Sequence, residues 1–140
     1  MAWAVDTCLL IDVLDDDPEF GRHSAVLLDK YLSETLVVCP ISYVELAPAF
    51  LGDCARQNEF LESIGIEYSA PWAWHDTQNA HRAWARYTAL RRECRIGRRP
   101  VADILIGAFA SSRHGLLTRN VKDFQPFFPS LTICAPDRRK

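Results

Sequence analysis

The chain has 140 residues and a mass of 15.9 kDa, enough for one domain with its own core, and 49% hydrophobic with 24% charged residues excludes intrinsic disorder. No stretch approaches the ~18 apolar residues of a membrane span. The opening Met1-Ala2-Trp3-Ala4-Val5-Asp6 lacks a secretory pattern, and the five cysteines form no Cys-x-x-Cys pair, so a zinc knuckle or disulfide framework is unsupported and the cytoplasm is the expected compartment.

Trp3–Asp6 reads as a first buried strand and Thr7–Leu14 as a short helix. Asp15-Asp16-Asp17-Pro18 closes it, and because acids oppose the dipole of a helix C-terminus, they belong in a solvated loop. A second helix is expected over Gly21–Leu32, with Ala25, Leu28 and Leu32 on its apolar face. Thr35–Cys39 is a β-rich run ended by Pro40. Ser42 reads as the N-cap of a helix over Ser42–Leu51, with Glu45 three residues on, and Pro48 is expected to kink it. A helix over Cys54–Ile64 stops at Gly65, and Glu67–Ser69 is a short strand. A long helix over Asp76–Arg95 carries Ala80, Ala83, Trp84, Tyr87, Leu90 and Cys94 as a stripe for the core or a dimer surface. After a loop at Gly97–Pro100, Val101–Ser112 is a strongly apolar helix ended by Gly115. Leu116–Thr118 is a strand, Val121–Phe127 a short helical turn and Leu131–Cys134 the last strand. Strands separated by helices imply a parallel sheet covered on both faces.

Four acids fall where strands give way to helices or where helices begin: Asp6, Glu45, Asp103 and Asp123. Each has a local explanation. Asp6 would cap the first helix, Glu45 would close a capping box with Ser42, Asp103 would favour a helix dipole, and Asp123 would sit on a solvated turn. Together they admit another reading. In an alternating strand–helix fold such positions converge at one sheet edge, where ligands bind. Carboxylates gathered there repel one another unless a cation joins them, and oxygen-rich sites suit Mg²⁺ or Mn²⁺. Thr7, Thr118 and Asn120 are short polar residues at the same edge, able to hold carboxylates or bound water.

The net charge of −2 hides an asymmetry. Residues 1–60 carry 11 acids and 3 bases, and residues 61–140 carry 7 acids and 13 bases. Arg82, Arg86, Arg91, Arg92, Arg95, Arg98 and Arg99 lie directly before Asp103. Arginine forks match phosphate, so Arg91, Arg92, Arg95, Arg98, Arg99 and Arg119 are the candidate contacts to a nucleic-acid backbone. Trp72 and Trp74 are candidates for stacking on unpaired bases, with burial as the alternative. The histidines, His23, His75, His81 and His114, form no ligand or nucleophile pairing. No glycine loop of the phosphate-binding kind is present.

Asp6-Thr7 with Leu9, Leu10 and Asp12, the Glu45-Leu46 pair, Asp103-Ile104 with Ile106 and Ala108, and Leu117-Thr118-Arg119-Asn120 with Asp123-Phe124 resemble, in order and spacing, the motifs of PIN-domain nucleases, in particular the VapC-type toxins. The resemblance spans nearly the whole chain. It implies a single PIN-like domain over residues 1–140, a three-layer α/β/α sandwich with a central, mainly parallel twisted sheet. It also implies Mg²⁺- or Mn²⁺-dependent endoribonuclease activity, a homodimer, and inhibition by a cognate antitoxin. By position, Asp6, Glu45 and Asp103 match the core metal-site acids. Many relatives carry a further acid at the position of Asn120, and here Asp123 is the nearest acid to share that role. The substrate is then an RNA (tRNA, rRNA or mRNA). Two other classes fit the same elements: a catalytically weak module that binds protein or RNA, and a receiver-type signalling domain. The receiver reading wants paired acids after the first strand and an Asp at the end of the third, where this chain has Glu67-Tyr68-Ser69.

Overall fold

The computed structural model describes residues 2–94 and 100–137. Among these, five short apolar strands build one sheet: β1 (Ala2–Val5), β2 (Thr35–Val37), β3 (Ile66–Glu67), β4 (Gly115–Leu117) and β5 (Ile133–Cys134). Their order is β3-β2-β1-β4-β5, and every pairing is parallel. Parallel neighbours need crossovers, which the helices supply: α1 (Thr7–Leu14), α2 (Gly21–Lys30), α3 (Pro40–Glu45), α4 (Cys54–Ser63), α5 (Trp74–Cys94) and α6 (Val101–Ser111).

Both faces of the sheet are buried, because successive strand residues point to opposite sides. Trp3, Val5, Leu36, Val38 and Leu117 face one cluster, with Leu9 and Leu10 of α1, Leu27 and Leu28 of α2, and Leu61 of α4. Ala4, Val37 and Leu116 face the other, with Ala83 and Tyr87 of α5 and Ile104, Ile106 and Phe109 of α6. The result is the expected α/β/α sandwich, with the mainly parallel sheet in fact parallel throughout.

Three local expectations are corrected. Ser42 is not an N-cap: α3 starts two residues earlier, at Pro40, whose fixed φ and missing N–H suit a first helical position. Ser42 is buried, and its Oγ has no partner among the described residues. Pro48 does more than kink a helix. It cannot donate to the preceding turn, so α3 stops at Glu45, and a 3-10 turn over Ala47–Phe50 follows, ending at a left-handed Leu51. In α2 the buried residues are Gly21, Ser24, Leu27 and Leu28, whereas Ala25 is exposed, and Leu32, also exposed, lies beyond the helix end at Lys30.

Gly107 lies on the face of α6 that meets the segment after β4. A Cβ added there would overlap the ring of Phe128. Gly107→Ala should therefore cost about 1–3 kcal/mol in urea unfolding, because a packed interior yields only by moving rings off their rotamers.

Candidate functional site

In a sheet ordered β3-β2-β1-β4-β5, successive crossovers leave β1 and β4 in opposite directions, so a crevice opens beyond their C-terminal ends. Asp6 follows β1 there, and Thr118 follows β4. The Asp6 N–H donates to the Leu117 carbonyl (2.9 Å), which locks the two strand ends together. The Thr118 hydroxyl donates to Asp6 Oδ2 (2.7 Å), and the Asn120 N–H donates to Thr118 Oγ1 (3.0 Å). Thr118 thus aims the carboxylate and anchors the next loop at once.

Asp6 occupies the N-cap position of α1 but makes no side-chain cap bond. Its carboxylate is therefore spent on the crevice, not on the helix. Glu45, the last residue of α3, accepts a hydrogen bond from the Thr7 hydroxyl (2.7 Å). Since Ser42 is three residues into the same helix, no capping box claims Glu45. Two carboxylates from distant parts of the chain are thereby joined through the Asp6-Thr7 dipeptide.

Asp6 is only 5% exposed, and burial pushes its carboxyl above the ordinary range. Hydrogen bonds from Thr118, Cys8 and the Thr7 N–H oppose that rise, and the charge of Glu45 adds to it. The ionised form of Asp6 is therefore costly as it stands.

Asp103 is half-buried in the first turn of α6. That helix packs against α3 and β1, the two elements that deliver Glu45 and Asp6. Asp123 is exposed in a 3-10 turn over Val121–Asp123, just beyond Asn120. Among the described residues, no three His, Cys, Asp or Glu side chains stand close enough together to enclose a metal ion. The donors present still fit a hard cation. They are all oxygen apart from one thiol, and Mg²⁺ is commonly held by only one or two carboxylates plus water and substrate oxygens.

Cys8, read from sequence as a small core residue, packs against the core and is also a neighbour of the site. Its Sγ donates to Asp6 Oδ2 (3.3 Å) and lies 3.7 Å from Thr118 Oγ1. Burial, then the charge of Asp6, push its pKa up to about 12, so it stays a thiol. Its position two residues after Asp6 was the available signal.

Asp12 also proves central. It is 2% exposed and accepts from Arg119 Nε (2.8 Å), Arg119 Nη2 (3.2 Å) and Ser24 Oγ (3.0 Å). Arg119, expected as a backbone-phosphate contact, is committed to this pair and stacks over the Phe20 ring at 4.3 Å. Arg91 is exposed on α5. The side chain of Arg92, and Arg95, Arg98 and Arg99, lie outside the described residues. Trp74 is exposed. Trp72 is not free to stack on a base, because it lies against Phe109 and donates to Thr77 Oγ1 (2.8 Å).

The chain matches the PIN-domain family model over residues 4–125 and belongs to the PIN-domain family. PIN domains are generally nucleases that use divalent metals. A solved chain from VapBC2 of Rickettsia felis, bound to a DNA fragment from their promoter, shares the fold at a TM-score of 0.69. The likeness covers 98% of this chain and 100% of that one, at 17% sequence identity. No curated protein matches the chain. The receiver-type reading is set aside: β3 is the edge strand, with β2 between it and β1, so the end of the third strand is not beside Asp6.

Proposed function

We propose that this chain is a divalent-metal-dependent endoribonuclease, the toxin of a toxin–antitoxin pair. The observation that carries the reading is the joining of buried Asp6 to Glu45 through Thr7 at the switch point of the sheet. Membership of the PIN family supports the hydrolytic chemistry, and the likeness to the VapBC2 chain supports the toxin–antitoxin setting.

In this reading Asp6 and Glu45 hold one or two Mg²⁺ or Mn²⁺ ions, Asp103 contributes from the adjoining helix, and Asp123 and Asn120 complete the site from the loop after β4. Such an ion supplies Lewis acidity to the phosphodiester and to the water that attacks it. Thr118 holds Asp6 in the orientation that presents its carboxylate to the crevice, and Thr7 does the same for Glu45. Arg91 and the arginines that follow it hold the RNA backbone, so binding weakens steeply with added salt. An antitoxin would silence the enzyme by covering this acid-lined crevice, and the active form would be a homodimer.

Cellular RNA incubated with the purified protein should yield discrete fragments when Mg²⁺ or Mn²⁺ is present and remain intact in EDTA. Intact RNA under both conditions, with Mn²⁺ bound, would instead favour a catalytically silent binding module. Thr118→Val tests the support beneath Asp6. It keeps the side-chain volume but deletes the hydrogen bonds of the hydroxyl to Asp6, Asn120 and Cys8, and should weaken Mn²⁺ binding about 10–100-fold by titration calorimetry.

A further inference from the structure

The opposite edge of the sheet carries a second polar cavity. It has a volume of about 220 Å³ and lies between α5, the C-terminal end of α6 and the segment that leads into β5. Arg82, Arg86, Arg113, His114, Ser111 and Ser130 are among its lining residues, and among the described residues no Asp or Glu lines it. His114 precedes β4 and Thr118 follows it, so roughly 13 Å of strand separates this cavity from the Asp6 crevice.

The three guanidiniums are not equivalent. Arg113 is neutralised: it pairs with Asp76 (3.0 Å), lies over the Phe109 ring, and donates to the Phe109 carbonyl. Arg82 and Arg86 are held only by neutral acceptors. Arg82 Nη2 donates to Asn79 Oδ1 (2.7 Å), and Arg86 Nη1 donates to the Phe127 carbonyl (2.9 Å). Each guanidinium is therefore positioned while its charge stays uncompensated among the described residues. Asn79 is in turn fixed by the Ala108 carbonyl and the Ser112 hydroxyl. Phe128 and Leu131 line the cavity beside the two cations, which are themselves exposed.

We infer that this cavity is a binding site for a phosphoryl group, recognised by Arg82 and Arg86 with the hydroxyl of Ser130 at its rim. Planar guanidinium forks suit the oxygens of a phosphate, and a cavity of about 220 Å³ that opens to solvent has room for a phosphoryl group. The group belongs either to a free mononucleotide or to the backbone of a polynucleotide running away from the crevice. The site does not depend on the reaction proposed above.

The test is calorimetric titration in EDTA, which prevents cleavage, with inorganic phosphate, adenosine 5′-monophosphate, a short oligoribonucleotide, and succinate as a carboxylate comparator. Phosphate and the mononucleotide should bind, and succinate at least tenfold more weakly. Arg82→Gln should lower phosphate affinity about tenfold, the effect of one lost charged hydrogen bond. Ser130→Asp, at an exposed position that leaves the core untouched, should lower it at least as much by adding a negative charge. An oligoribonucleotide that binds more than tenfold tighter than the mononucleotide, and loses that gain in both variants, identifies a backbone phosphate. Equal binding of the two identifies a free nucleotide. Unchanged phosphate binding in both variants, no phosphate binding at all, or succinate binding as well as phosphate, would overturn the inference.

Discussion

Replacing Asp6 by asparagine is expected to abolish metal-dependent RNA cleavage while raising the melting temperature of the metal-free protein. The two effects have one cause. Asparagine has nearly the shape of aspartate and can still accept the Thr118 hydrogen bond, so the fold is kept. It cannot supply charge to a divalent ion, and losing several kcal/mol of transition-state stabilisation lowers the rate by roughly three orders of magnitude or more.

The stability gain follows from the raised Asp6 carboxyl. Burial, with the help of the Glu45 charge, lifts it above its ordinary value of 3.8. Between that value and the folded one, the native state keeps a proton that the unfolded chain has released. Stability therefore falls as the pH rises through this window, and the whole cost is present above it. The neutral amide of the Asp6→Asn variant carries no such cost. At neutral pH the variant should melt higher, by about 2–5 °C for each kcal/mol relieved in a domain of this size. The difference should close below the ordinary carboxyl pKa. Adding Mn²⁺ should raise the melting temperature of the native protein and leave the variant unmoved, since only the folded native site gains from the ion. A variant that melts lower than the native chain at pH 7 would show that Asp6 serves the fold and not the site.

The second large effect falls on Asp12. Asp12→Ala should destabilise the protein by about 3 kcal/mol in denaturant unfolding, at the lower end for a broken buried pair. The carboxylate ties α1 to Ser24 of α2 and to Arg119 after β4, so one deletion releases three elements. The lower end applies because the Arg119 side chain is 30% exposed and can turn to water. The effect should reach the crevice as well. Arg119 stands between Thr118, which aims Asp6, and Asn120, whose side-chain oxygen it also approaches at 3.4 Å. Residual activity in Asp12→Ala should therefore fall further than the unfolded fraction accounts for, as measured at a temperature where the variant remains folded.

Much of this architecture is legible in the residues. The apolar runs at Trp3–Val5, Leu36–Val38 and Leu116–Leu117 mark strands buried on both faces, and the long helix α5 follows from its 3.6-residue stripe. Errors arise where a local signal competes with a neighbouring one. Ser42 and Glu45 have the spacing of a capping box, yet Pro40 offers a better first helical residue and pulls the start of α3 forward. Ala25 and Leu32 have the spacing to share a helix face with Leu28, but α2 ends at Lys30, before Leu32, and its contact with α1 turns Ser24 and Leu27 inward.

The candidate site divides in the same way. Residue order and spacing by themselves determined an alternating strand–helix chain with acids at its strand and helix ends, because periodicity and turn chemistry act over a few residues, and the order of its motifs gave the resemblance to the PIN family. Only the tertiary structure decided what those side chains do. It spent the carboxylate of Asp6 on Thr118 rather than on a helix cap, brought Thr7 to Glu45 across 38 positions, placed Cys8 beside Asp6, and tied Arg119 to Asp12 instead of leaving it for a phosphate. These are contacts between segments far apart in the chain. They are set by strand order and by which faces pack, quantities that no local run of residues carries.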